Sequence, residues 1–137
     1  MILKIATPKK LTAEREIDSL TVPTASGEIT ILPHHAHLLT LLTNGILTIR
    51  SKKEEEFMAI GGGYLETDGK TIQILVSRAY NQEEIDEKVT NEAIASAKRV
   101  LNETKDRAER EEATALLRRS TVDLKLLGKV RRRKPQP

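Results

Sequence analysis

Three histidines within four positions, His34, His35 and His37, are the side chains here best suited to hold a metal or move a proton. Zinc needs three or four converging ligands, and neighbouring histidines on an irregular segment point apart. The chain has no cysteine, and the nearest carboxylate is Glu28. Packing and surface roles fit these histidines better than metal binding. Gly61-Gly62-Gly63 invites a phosphate-loop reading, but no GxxxxGK[ST] pattern surrounds it, and the residues that follow read as strand rather than helix. A bulge or a close approach of two backbones explains it instead. No nucleophile stands beside an evident base and orienter, and the twenty acids are scattered, so the sequence argues against an enzyme. The densest chemistry is cationic: Arg118, Arg119, Lys125, Lys129, Arg131, Arg132, Arg133 and Lys134 face a single acid, Asp123, in residues 113–137. That stripe suits an acidic protein surface or a phosphate backbone, and both partners stay open; stacking aromatics are missing nearby.

The elements that must position these groups fall into two kinds. In residues 1–80, short segments with a period of two recur about every ten residues between turn signals, the pattern of an antiparallel sandwich or barrel. Residues 2–5 give a first strand closed at Thr7-Pro8, and residues 14–22 a second segment that Pro23 ends. Residues 24–27 read as a turn. Residues 28–32 give a strand that Pro33 stops for want of an N–H. Residues 34–42 then read as a compact apolar corner, with Asn44-Gly45 as a left-handed turn launching residues 46–50. A charged tip over 51–55 leads to residues 57–60, and Asp68-Gly69 joins the last two strands, 64–67 and 71–76.

At Asn81 the period changes. Ile85, Val89, Ala93, Ala97 and Val100 recur at helical spacing, with Asn81 as the expected cap and Glu83 and Glu84 in the first turn. After a lapse near 102–106 a second stripe runs through Ala113, Leu116, Leu117, Ser120, Leu124 and Leu127, and Gly128 is placed to stop it. The fold class is therefore α+β: an N-terminal antiparallel β-sandwich (1–80), a C-terminal αα-hairpin (81–128), and a basic tail (129–137) expected to be disordered. The three aromatics and the Ala-rich seams make for thin cores, so the hairpin should open readily. No apolar run reaches the ~18 residues of a membrane span, which predicts a soluble chain.

In this order the motifs closely resemble the ε subunit of F-type ATP synthases, bacterial or chloroplast type, over nearly the full length to about Leu127. The resemblance rests on Gly27-Glu28-Ile29, Ile31-Leu32-Pro33, His35-Ala36, Leu38-Leu39, Gly45-Ile46-Leu47, Ile49-Arg50, Gly62-Gly63-Tyr64-Leu65-Glu66 and Glu84-Ile85-Asp86. Two positions depart: His34 stands where the family usually has Asn or Gly, and His37 where it usually has Pro. The resemblance implies a non-catalytic rotor subunit without a cofactor, peripheral on the cytoplasmic side of the membrane. Its sandwich would attach to the γ subunit and rest on the c-ring, with His34, His35, Ala36, His37 and Leu38 as partner-binding candidates. Its hairpin would extend along γ into the α/β head and obstruct ATP hydrolysis, with Arg118, Arg119 and Lys125 meeting an acidic loop of β. Some members bind ATP through a motif resembling I/L-D-x-x-R-A. Here Ile85 and Asp86 match it, while Val89 and Thr90 replace its Arg and Ala, so the cationic phosphate contact is gone. Asp123 would further repel phosphate, and weak or absent ATP binding is expected. The alternative of another class is a basic nucleic-acid-binding module that uses the C-terminal helix; the rotor reading requires no nucleic acid.

Overall fold

The computed structural model describes residues 1–9, 11–52 and 54–133. They divide after Asn81 into two units. The first holds ten strands: β1 (Ile2–Ala6), β2 (Leu11–Glu16), β3 (Ser19–Thr24), β4 (Gly27–Ile31), β5 (Leu38–Leu42), β6 (Gly45–Ser51), β7 (Glu54–Ile60), β8 (Gly63–Thr67), β9 (Thr71–Val76) and β10 (Ala79–Tyr80). They make two five-stranded sheets, β2-β1-β9-β8-β5 and β10-β7-β6-β3-β4. Every pairing is antiparallel except β1 with β9. The inner faces supply an aliphatic core, with Leu3, Ile5, Ile72, Ile74 and Leu65 from one sheet and Leu20, Val22, Leu47, Ile49, Met58 and Ile60 from the other.

Several local expectations change. Residues 14–22 are not one segment: β2 and β3 lie in different sheets, and Pro23 sits inside β3 opposite Glu28. The ladder from β3 to β6 ends at Thr21, so past that point β3 is paired along one edge, where a missing N–H is tolerated. The compact corner is in fact a turn over 32–37 followed by the edge strand β5. Asn44 and Gly45 do not turn left-handed; the positive φ of this stretch belongs to His34, at 67°. Gly45 is there for space, since a Cβ would come within 2.8 Å of the Pro23 ring. Strands β6 and β7 run further into the charged tip than expected, with Ser51 opposite Glu54 and Lys52 turning at φ 45°. Strand β6 also does not alternate, for Ile46, Leu47, Thr48 and Ile49 are all buried.

The glycine run joins the two sheets. Gly61 and Gly62 leave β7 for β8 beside residues 77–78, which leave β9 for β10, and the two crossings bond through Gly61 N–H to Arg78 O at 3.0 Å and Ser77 N–H to Gly62 O at 3.0 Å. At Gly63 a Cβ would fall on the Leu75 carbonyl oxygen, and 2.7 Å from Val76 Cα. This is the close backbone approach that glycine permits.

The second unit opens with a one-turn 3-10 helix (Gln82–Glu84), then α1 (Glu87–Glu103) and α2 (Arg107–Arg133). Asn81 does not cap α1. Asp86 does, its Oδ1 accepting from Val89 N–H at 3.1 Å. Gly128 does not end α2 either: the helix continues through Lys129 and Val130 to Arg133, and Val130 is buried one turn beyond Leu126. The basic stretch 129–133 is thus helical rather than a disordered tail, and 134–137 lies outside the described residues. Asp106 starts α2 by accepting from Glu109 N–H at 3.2 Å.

Candidate partner-binding surfaces

The turn before β5 is built on an unusual backbone. His34 is left-handed, and its N–H donates to Gly69 O at 3.0 Å, while Gly69, at φ 91°, lies so close that a Cβ would sit 2.8 Å from His35 O. Turn 32–37 is therefore pinned to the β8–β9 turn. There Asp68 Oδ1 accepts from Lys70 N–H at 2.9 Å and Thr71 N–H at 2.8 Å. These two backbone donors hold the Asp68 carboxyl below its ordinary value.

The histidines take separate partners. His35 Nδ1 lies 2.7 Å from Ala36 O, and His37 Nε2 3.6 Å from Glu66 Oε1, beside a cavity of about 170 Å³ that Asp68, Thr71 and Gln73 also line. Among the described residues, no three His or carboxylate side chains converge as metal ligands. His34, Ala36 and His37 are exposed; His35 and Leu38 are half-buried.

Sequence reasoning missed the strip next to them. On the outward face of the first sheet Leu41 lies opposite Tyr64 and Tyr64 opposite Leu75, all exposed, with Leu39 one step along β5. Leu39 and Leu41 are 69% and 76% exposed, at the sheet's edge. Read in one dimension, the run Leu38-Leu39-Thr40-Leu41-Leu42 looks like core, because apolar residues occur at both phases of the period of two. Only alternation on a strand with one free face puts Leu39 and Leu41 outside.

On the hairpin, Arg118, Arg119 and Lys125 are all exposed. Arg118 and Lys125, seven residues apart, share a face of α2, while Arg119 is turned about 100° from Arg118. Arg118 also lines an open groove with Lys105, Arg107, Arg110 and Thr114. Arg110 is committed: its guanidinium donates to Leu101 O at 2.5 Å and Thr104 O at 3.2 Å, capping the end of α1. At the start of α1, Asp86 is occupied as the cap and Thr90 Oγ1 donates to Asp86 O at 2.9 Å. Val89 points to solvent and Ile85 is half-buried, so these four positions bring no cation to a phosphate. Glu87 binds Arg131 through both oxygens, a pairing the sequence did not disclose because α2 was expected to stop at Gly128.

Over residues 1–82 the chain matches the family model of the ATP synthase Delta/Epsilon chain beta-sandwich domain. The ATP synthase epsilon chain of Moorella thermoacetica is 35% identical over 129 residues, covering 93% of this chain and 96% of that one. The chain belongs to the ATP synthase epsilon-chain family. The chloroplastic epsilon chain of Oltmannsiellopsis viridis is 31% identical over 124 residues, 90% of this chain and 95% of its own. Among solved structures, a chain of the Euglena gracilis mitochondrial ATP synthase OSCP/F1/c-ring complex shares the fold, with TM-score 0.85 and 22% identity over 93% of this chain and 81% of that one. A chain of the Tetrahymena thermophila ATP synthase central stalk/c-ring complex matches with TM-score 0.59 and 18% identity, covering 91% and 94%. As an epsilon-family member the chain is a non-catalytic accessory subunit, and among the described residues no helix is long and apolar enough to cross a membrane.

Proposed function

We propose that this chain is a rotor part of an F-type ATP synthase, coupling the γ subunit to the c-ring through its sandwich and restraining ATP hydrolysis through its hairpin. The observation that carries the reading is the apolar strip Leu39–Leu41–Tyr64–Leu75, a surface rarely left wet on a lone chain. It adjoins the turn 34–37, so His34, His35, Ala36, His37 and Leu38 belong to the proposed contact with γ and the ring. The chain would be held at the membrane, on the cytoplasmic side, through these partners alone. Chains of the same fold stand in F1/c-ring and central stalk/c-ring complexes, which supports an association with the stalk and the ring.

The restraining half draws support from the hairpin's seam. Among the described residues four of its buried side chains, Thr90, Ala97, Ala113 and Ser120, are small groups that release little on separation, and only Leu126 and Val130 are larger. Once extended along γ, α2 offers Arg118, Arg119 and Lys125 to an acidic loop of the β subunit, an attraction that weakens as salt rises. Two assembled enzymes, one with the full chain and one with residues 1–81 only, separate the two roles. We expect the shortened chain to remain bound while hydrolysis rises several-fold. Equal hydrolysis would reject the restraint, and loss of the shortened chain from the complex would reject the sandwich as the anchor.

A further inference from the structure

The two helices are tied at both ends, by different means. At the closed end Arg110 caps the carbonyls of α1. At the open end Arg131 of α2 forks onto Glu87 in the first turn of α1, one arm at 3.3 Å and the other closer. Each charge also sits at the end of its helix where the macrodipole favours it, the acid at an N-terminus and the guanidinium near a C-terminus. The forked geometry is the strong form of an exposed ion pair. We propose that the Glu87–Arg131 pair is an electrostatic clasp that sets how often the open end of the hairpin parts.

Of the buried side chains on the described helices, Thr90, Ala97, Ala113 and Ser120 are small and only Leu126 and Val130 are larger, so the apolar burial is modest and a forked pair adds to it measurably. Arg131 also belongs to the basic run at 129–133, which an acidic surface would attract. Such a surface competes with Glu87 for one guanidinium, so docking and opening are coupled through that side chain. The clasp is a property of the chain by itself; its bearing on hydrolysis rests on the proposed function.

The test uses the full chain, which has no cysteine of its own. Spin labels on Asn91→Cys and Thr121→Cys, both exposed, report the separation of the helices. Glu87→Gln and Arg131→Gln should each raise the open fraction roughly two- to fivefold, and the double variant no further than either single one. Raising salt from about 0.1 M to about 1 M, which shortens the screening length from ~10 to ~3 Å, should open the unaltered chain and barely move the variants. Additive effects, or singles that leave the distances unchanged, would overturn the clasp. Fraying of α1 alone would move Glu87→Gln but not Arg131→Gln, and would overturn it too. In the assembled enzyme, variants that open the hairpin without changing hydrolysis keep the clasp and reject the restraining role. Variants that stay closed, while removal of residues 82–137 raises hydrolysis, reject the clasp and keep that role.

Discussion

His34 adopts a left-handed backbone at φ 67°, where a side chain with a Cβ costs about 1–2 kcal/mol relative to right-handed conformations. The cost persists because the N–H at that position is held by Gly69 O. Asn tolerates the left-handed region better than most residues, so His34→Asn should raise stability by roughly 0.5–1 kcal/mol, and β-branched His34→Val should lower it by about 1–2 kcal/mol. Thermal unfolding of the three chains checks both signs. The sequence placed this residue in an apolar corner and assigned the left-handed turn to Asn44-Gly45. Composition favours Asn and Gly for such a turn, and nothing local reveals that a distant carbonyl, Gly69 O, fixes His34 instead. The capping of α1 misleads in the same way. Asn81 and Asp86 are both good caps, and the choice falls to Asp86 because residues 82–84 close a separate 3-10 turn first.

At the level of elements, the glycine run has the most to say. Gly63 lies against the Leu75 carbonyl and Val76 Cα, both backbone atoms that cannot swing aside. Gly63→Ala should therefore cost about 3 kcal/mol or more, while Gly62→Ala, whose added Cβ would meet only Leu42 O at 3.5 Å, should cost about 1 kcal/mol or less. Denaturant midpoints of the pair measure the contrast. Strand existence was legible from the period of two, and the close-approach reading of the glycines followed from the strand after them. The break at 17–18 between β2 and β3 was not legible, because Ile17, which lies between the strands, is as buried as Leu20 and Val22 within β3. The length of α2 was hidden for a related reason. Gly128 is a frequent helix stop, but buried Leu126 and Val130, four residues apart, outweigh its modest cost of ~1 kcal/mol.

For the whole molecule, the change from a period of two to 3.6 near residue 81 announced a sandwich followed by a helical hairpin. The proposed partner surface was less legible, since exposed leucines and core leucines look alike in a string. Replacing Leu39 and Leu41 together by Asp should leave unfolding within about 0.5 kcal/mol for each site, because neither is buried, yet abolish capture of the chain by the γ subunit. Capture at unaltered strength would remove this strip from the interface. The parallel pairing of β1 with β9 has a consequence in time. Residues 2–6 find their neighbours at 71–75 only after about seventy residues have left the ribosome, so the first sheet cannot close early and folding should be of the slow, non-local kind. Both helices leave the ribosome after every strand of that sheet, so the sandwich has no need to wait for the hairpin.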